Sequence, residues 1–323
     1  MEPARVTVVL LACNQAATAR AAAESVLAQT GPPLEIVLSD DASSDDTFEV
    51  LAGVAASYRG PHRVRARRNP ANLGIGAHYN RLMAETEGEL LVTAAGDDFS
   101  LPHRVERLVA AWEASGRRAD LIASHYIDMA PDGCDGDAVA IDDLGALTLA
   151  GWCARRPFTV GATHAFTRRM MERFGPVIDG VWYEDPIMTL RAILSGGALT
   201  VPEPLVRYRR GGSSKWPSIG AGPHLVAWVR LQNRRVLAEI EQFTRDATLA
   251  GHGAEVAAAL APVLARERYL ERVVTAADTG KRWQALREAR GLPLGWRLRK
   301  FLTFTFPERA AAIKRWRQSR RHA

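Results

Sequence analysis

Long apolar runs are missing from this 323-residue chain. No stretch reaches the roughly 18 to 20 residues that a membrane-spanning helix needs, the longest candidates being broken by Asp142, Asp143, His252 and Glu255. Cysteine is scarce: Cys13, Cys134 and Cys153 are odd in number and far apart, which excludes a disulfide framework and the paired spacings of zinc or redox motifs. They read as reduced thiols of a cytoplasmic protein. The apolar run from Val6 to Cys13 has no small-residue cleavage site after it, so no secretory leader is expected. Internal repeats and low-complexity tracts are also lacking, and 47% hydrophobic with 24% charged content excludes a disordered chain.

The charge present is unevenly placed. Residues 281–323 hold 13 basic and 2 acidic side chains, a net +11 against +6 for the whole chain, leaving −5 on the preceding 280 residues. Within that tail Leu294, Leu298, Phe301 and Leu302 share a helical face among Arg297, Arg299 and Lys300, and Ile313 and Trp316 recur among Lys314, Arg315 and Arg317. This basic amphipathic pattern fits a peripheral anchor on an anionic membrane surface. No nucleic-acid motif accompanies it. A solvated face packed on the body is the other reading.

Val6–Leu11 is a continuous β-branched and aliphatic run, as in a strand buried on both faces of a parallel sheet. Ala19, Ala22, Ala23, Val26 and Leu27 then repeat at helical spacing until Gly31-Pro32-Pro33, and Leu34–Leu38 is the next aliphatic run. The alternation continues through a helix near Phe48–Val54, a short strand at Val64, a helix at His78–Glu85, a strand at Glu89–Ala94 and a helix carrying Val105, Leu108, Val109 and Trp112. It predicts an open α/β sheet with ligands beyond the carboxyl ends of its strands. Asp40-Asp41 and Asp97-Asp98 both occupy that position, so they are expected to converge. Residues 131–161 read as a loop-rich insertion, and Val201–Tyr208 as an edge strand tolerating Pro202 and Pro204. From His224 the pattern is helical, giving an expected domain of residues 1–215 and a helical region of 216–323.

Three acidic pairs in one α/β domain suit a divalent cation bridging a diphosphate, because hard cations prefer carboxylate oxygen. Singly, each pair also reads as a helix cap or solvated turn. Taken together with Val6–Asn14, Ser25–Thr30, Glu35–Ser43, Asn69–Gly74, Glu87–Asp98 with Leu101-Pro102, Glu184-Asp185 and Leu205–Arg209, the sequence resembles the inverting glycosyltransferases of family two, with a GT-A fold, over residues 6 to about 215.

The resemblance implies a mostly parallel, Rossmann-like sheet flanked by helices, and a sugar transferred from a UDP- or dTDP-sugar to a glycan or lipid-linked acceptor. Bacterial members often build surface polysaccharides, which implies work at the inner face of the cell membrane. Asp41, with Asp40, would read a uracil or thymine N–H. Asn14, Asn72 and Gly74 would line the nucleotide site. Asp97 would bind ribose and metal, and Asp98 Mg²⁺ or Mn²⁺. Asp185 would be the general base, with Trp182, Tyr183, Glu184 and His164 on the acceptor side. Three departures stand out: Ala95 replaces the first Asp of the usual Asp-Ala-Asp-Asp string, no His follows Tyr208-Arg209, and no aromatic residue neighbours Cys13. Arg209 or Arg210 would then contact phosphate. Two rival readings are a sugar-phosphate nucleotidyltransferase, which would need a Gly-rich loop where Leu10–Asn14 stands, and a degenerate, membrane-associated binding partner without activity.

Overall fold

The structure is a computed structural model that describes residues 4–211 and 223–308. The chain divides into two compact units, Met1–Lys215 with Arg245–Gly253, and Trp216–Thr244 with Ala254–Ala323.

In the first unit β1 (Val6–Ala12) is buried at all seven positions. The helix α1 (Ala16–Leu27) turns Ala19, Ala22, Ala23 and Val26 onto the sheet, as its spacing predicts. Next come β2 (Glu35–Asp40), α2 (Thr47–Ser57), β3 (Arg63–Arg68), α3 (Ile75–Glu85) and β4 (Leu90–Ala95). These strands lie parallel in the order β3-β2-β1-β4. The register sets Ala12 opposite Asp40 on one side and Leu11 opposite Ala95 on the other. Both acidic turns therefore leave the sheet around the end of β1. The approach is close: a Cβ on Gly96 would lie 2.7 Å from that of Ala12. At the outer edge β3 carries Arg63, Arg65, Arg67 and Arg68, charges that discourage pairing with a foreign strand.

Beyond β4 the sheet becomes mixed. Its remaining strands are β5 (Phe99–Ser100), β6 (Leu121–Met129), β7 (Asp135–Val139), β8 (His164–Thr167) and β9 (Ala198–Arg209), with α4 (Arg104–Ala114), α5 (Leu149–Ala154), α6 (Arg168–Phe174) and α7 (Asp185–Ile193) between them. β8 runs antiparallel to both β4 and β6, whereas β6 and β9 are parallel. Such a curled, mixed sheet has no continuous hydrophobic alternation, and a four-residue strand such as β8 leaves almost no periodic signal. β9 is longer than its sequence pattern suggests. Its register with β6 jumps from Ser124↔Val201 to His125↔Pro204, a bulge that takes up Pro202, while Pro204 stays opposite His125. Between residues 131 and 161 stand β7, α5 and a short 3-10 turn at Leu144–Ala146, so that region is less irregular than its composition suggests.

The second unit is helical: α8 (Pro223–Leu249), whose last residues belong to the first unit, α9 (Gly253–Thr275), α10 (Thr279–Glu288) and α11 (Leu294–Thr305). Its core gathers Tyr269, Val273, Val274, Ala285, Leu286, Phe301 and Phe304. Tyr269 donates from its hydroxyl to the Arg297 carbonyl at 2.7 Å. The expected single apolar face of α11 is divided: Phe301 is buried with Arg297 and Phe304, while Leu294, Leu298 and Leu302 stay exposed. Ile313, Lys314, Arg315, Trp316 and Arg317 lie outside the described residues. Among the described residues no helix is long and apolar enough to cross a membrane.

Candidate active site

The turn after β2 is a closed set of hydrogen bonds. Asp41 Oδ1 accepts from Asn69 Nδ2 (2.7 Å) and the Leu73 N–H (2.9 Å), and Oδ2 from the Gly74 N–H (2.9 Å). Gly74 has φ +75°, a backbone that favours glycine and aims its N–H at the carboxylate. Three of a carboxylate's roughly four acceptor positions are thereby filled, and the Asn69–Gly74 loop is pinned to β2. Asp40 is fully buried. It accepts from the Ser43 hydroxyl and N–H and pairs with Arg68 at 3.2 Å. Expected beside Asp41 at the nucleotide, Asp40 instead holds the turn, because no surface of it reaches solvent. Asn14, exposed and left-handed at φ +53°, accepts from Ser44 N–H (2.8 Å). Asn72, also exposed, donates to Cys13 Sγ at 3.2 Å. Beneath them His78 is 2% exposed with Nε2 2.5 Å from Ser39 Oγ, and burial pushes its pKa down to about 4.

The turn after β4 is left open. Asp98 is 6% exposed. Its Oδ1 accepts from the Arg209 N–H (2.8 Å), but its Oδ2 is buried with no hydrogen-bond partner. Burial and then the neighbouring Asp97 charge raise its pKa to about 8. Arg209 ties this turn to β9, donating to the Asp97 carbonyl (3.0 Å) and the Pro131 carbonyl (2.8 Å). A bare carboxylate oxygen in a buried acidic pair is the donor chemistry that a hard divalent cation satisfies, and Mg²⁺ or Mn²⁺ takes one or two carboxylates when phosphate supplies further oxygens. Among the described residues no group of three or more His, Cys, Asp or Glu is poised to hold a metal alone.

Asp185 opens α7, followed by Pro186 at a position where the missing N–H costs nothing. Its Oδ2 accepts from the Gly161 N–H at 2.9 Å. Gly161 is tightly held: a Cβ there would run into Glu184 Oε1 and lie 2.6 Å from Asp185 Oδ1. Burial, and next the Asp185 charge, raise the Glu184 pKa well above the usual carboxyl range, and the Glu184 carboxyl hydrogen-bonds Asp185. Tyr183 is half-buried and Trp182 is 39% exposed beside them.

A buried polar network underlies both acidic centres. Thr93 Oγ1 donates to the Gly161 carbonyl at 2.6 Å. Arg104, 1% exposed, donates to the carbonyls of Thr93 and Ala162 (2.7 Å each) and to Ser100 Oγ (2.9 Å). Burial lowers its pKa to about 10 while the Asp98 charge opposes that shift. Tyr79 is 2% exposed and faces Glu184, Asp185 and Arg104. His164, expected on the acceptor side, is buried at 1% exposure with Nε2 2.7 Å from Thr159 Oγ1, so it lies beneath Asp185. Burial holds its pKa down at about 4. Thr93, Arg104, Gly161 and Tyr79 escaped the sequence reading. Only Arg104 leaves a signal there, as a charge on the apolar face of α4 beside Val105, Leu108 and Trp112.

Residues 7–135 match the profile described as Glycosyl transferase family 2. Over those residues the chain is similar to glycosyltransferase family 2. Similar proteins include an uncharacterized glycosyltransferase, alr2836, of Nostoc sp., 28% identical over 228 residues, and the succinoglycan biosynthesis protein ExoO of Rhizobium meliloti, 33% identical over 146. The first match covers 65% of this chain and 66% of the relative; the second covers 45% and 35%. Among solved structures, S. aureus TarS 1–349 in complex with UDP-GlcNAc superposes with TM-score 0.56 at 14% identity, covering 93% of this chain and 91% of that one. The mannosyltransferase PcManGT from Pyrobaculum calidifontis, in complex with GDP-Man and Mn²⁺, gives 0.51 at 16% identity, covering 97% and 87%. At these identities the two share the glycosyltransferase's GT-A fold.

Proposed function

We propose that this glycosyltransferase moves a sugar from UDP or dTDP to a hydroxyl of a glycan or lipid-linked acceptor with inversion, in the assembly of a bacterial surface polysaccharide. One observation carries the reading: Asp185, oriented by the Gly161 N–H, is tied through Gly161 and Thr93 to Arg104, whose charge acts on Asp98 with its bare carboxylate oxygen. In a single displacement the acceptor oxygen attacks the anomeric carbon, its proton passes to Asp185, and the bond to the nucleoside diphosphate breaks. General-base help of this kind is worth about 10² to 10⁴ in rate. Glu184, keeping its proton, hydrogen-bonds Asp185 and adds no second negative charge. Asp41 Oδ2, with a single donor, has room for an imide N–H. Trp182 offers an aromatic face to the acceptor sugar. A divalent cation held by Asp98 with Asp97 would neutralise charge on the departing diphosphate.

The test is calorimetric titration of UDP, dTDP, GDP and CDP, with and without Mn²⁺, on the parent protein and on Asp98→Ala. Binding of UDP or dTDP that requires both Mn²⁺ and Asp98 is expected. Absence of binding by every nucleotide overturns the assignment.

A further inference from the structure

We propose that α10 and α11 form a docking face for an anionic lipid surface, with α11 lying in the plane of the headgroups. The inference is independent of the reaction assigned above. It begins with the division of α11. Its inner side, Arg297, Phe301 and Phe304, is buried in the core of the helical unit, whereas Leu294, Leu298 and Leu302 are 62%, 39% and 45% exposed. These leucines recur every four residues and form one stripe along the helix flank. Trp283 on α10 is 51% exposed, yet its ring lies 5.4 Å from that of Phe301, so it stands at the border of α11. Among the described residues, eleven large apolar side chains are exposed, and five of them fall between residues 283 and 306. That concentration exceeds the scattered apolar exposure normal for a protein surface.

Charge complementarity identifies the occupant. Residues 279–308 hold seven basic and two acidic side chains, and one of the two, Glu288, is already paired with Arg272. Arg287 and Arg290 share with Trp283 a depression of about 510 Å³, and Arg299 is exposed on α11 itself. Apolar side chains bordered by cations on a 12-residue helix, too short to span a bilayer, match a helix lying at the interface. Leu294, Leu298 and Leu302 are open to solvent and available to lipid. Juxtamembrane basic residues are attracted by anionic headgroups within a Debye length.

The experiment is co-sedimentation of the full chain with phosphatidylcholine vesicles, with and without phosphatidylglycerol. Binding is expected only where phosphatidylglycerol is present, and it should weaken as salt rises. Leu298→Asp with Leu302→Asp, both at exposed positions, is expected to lower vesicle partitioning by about tenfold or more, with far-ultraviolet dichroism unchanged. Arg287→Glu with Arg299→Glu should lower it independently. The proposal is overturned if phosphatidylglycerol confers no binding, or if the leucine pair leaves binding intact. A dimer in solution that the leucine pair disrupts, without any vesicle binding, would assign the face to a second copy of the chain and overturn it equally.

Discussion

The turns after β2 and β4 leave the two strands that flank β1 with the same residue pair, Asp-Asp, and the fold treats them oppositely. Asp40 is saturated and Asp41 keeps a single acceptor position: backbone N–H groups, Asn69, Ser43 and Arg68 occupy the rest of their oxygens. Asp98 is buried as deeply but keeps one oxygen without a donor. A satisfied carboxylate holds a loop, whereas an unsatisfied buried one carries a cost that a proton or a cation relieves. The same contrast recurs at the start of α7, where Asp185 has its Gly161 contact while burial and the Asp185 charge raise the pKa of Glu184. Sequence alone shows three similar acidic pairs; their partners separate scaffold from chemistry.

The largest expected effect lies at the chemical centre. Asp185→Asn keeps the Gly161 hydrogen bond but removes the proton acceptor, and sugar transfer should fall by about 10² to 10⁴ with donor binding retained. A radiolabelled transfer assay beside nucleotide titration separates the two. Gly161→Ala comes next, since its methyl would displace both the Glu184 and Asp185 carboxylates. A misplacement of about 1 Å costs on the order of 10² in rate, and kcat should bear the loss while nucleotide affinity holds.

The comparison of the two turns is tested most directly by a pair of alanines. Asp41→Ala strands two backbone N–H groups and Asn69, and should cost about 3 kcal/mol in urea unfolding. Asp98→Ala deletes a carboxylate that the fold accommodates poorly, so its thermal midpoint should stay level or rise while Mn²⁺-dependent nucleotide binding disappears. Equal destabilisation by both would erase the distinction.

The smallest effect is one of pH. His164 is held neutral in the folded protein, with a pKa near 4 against 6.5 for a free imidazole. Unfolded chains therefore bind its proton first as pH falls. Its contribution is complete above pH 6.5 and is lost on acidification towards pH 4, amounting to about 2 kcal/mol between pH 7 and about pH 5. Unfolding midpoints across that range should drop, and His164→Gln should lessen the drop, leaving the share of His78, whose pKa burial also lowers to about 4.

The parallel half of the sheet was readable because Val6–Leu11 and Leu34–Leu38 are almost wholly buried and read as runs broken only by Thr7 and Glu35. The mixed half was not. β8 is too short for a period, and the bulge in β9 displaces its register where the prolines fall. Within the site, Asp98 and Asp185 could be named because they sit in local strings. Gly161 could not, since its partner lies 24 residues away in sequence and nothing local marks a glycine that must lack a side chain.

One buried contact bears on the order in which this molecule is made. Arg191 on α7 and Asp246 near the end of α8 are both 0% exposed and meet in two contacts, of 2.7 and 3.3 Å. Asp246 is synthesised about thirty residues after Lys215, beyond a stretch that belongs to the other unit. A nascent chain that has already delivered every residue of the proposed site still holds an uncompensated guanidinium on α7, a defect worth about 3 to 5 kcal/mol. Completion of the sheet-bearing unit thus waits on translation of the helical segment. A fragment cut at Lys215 would carry every residue of the proposed site and lack the latch.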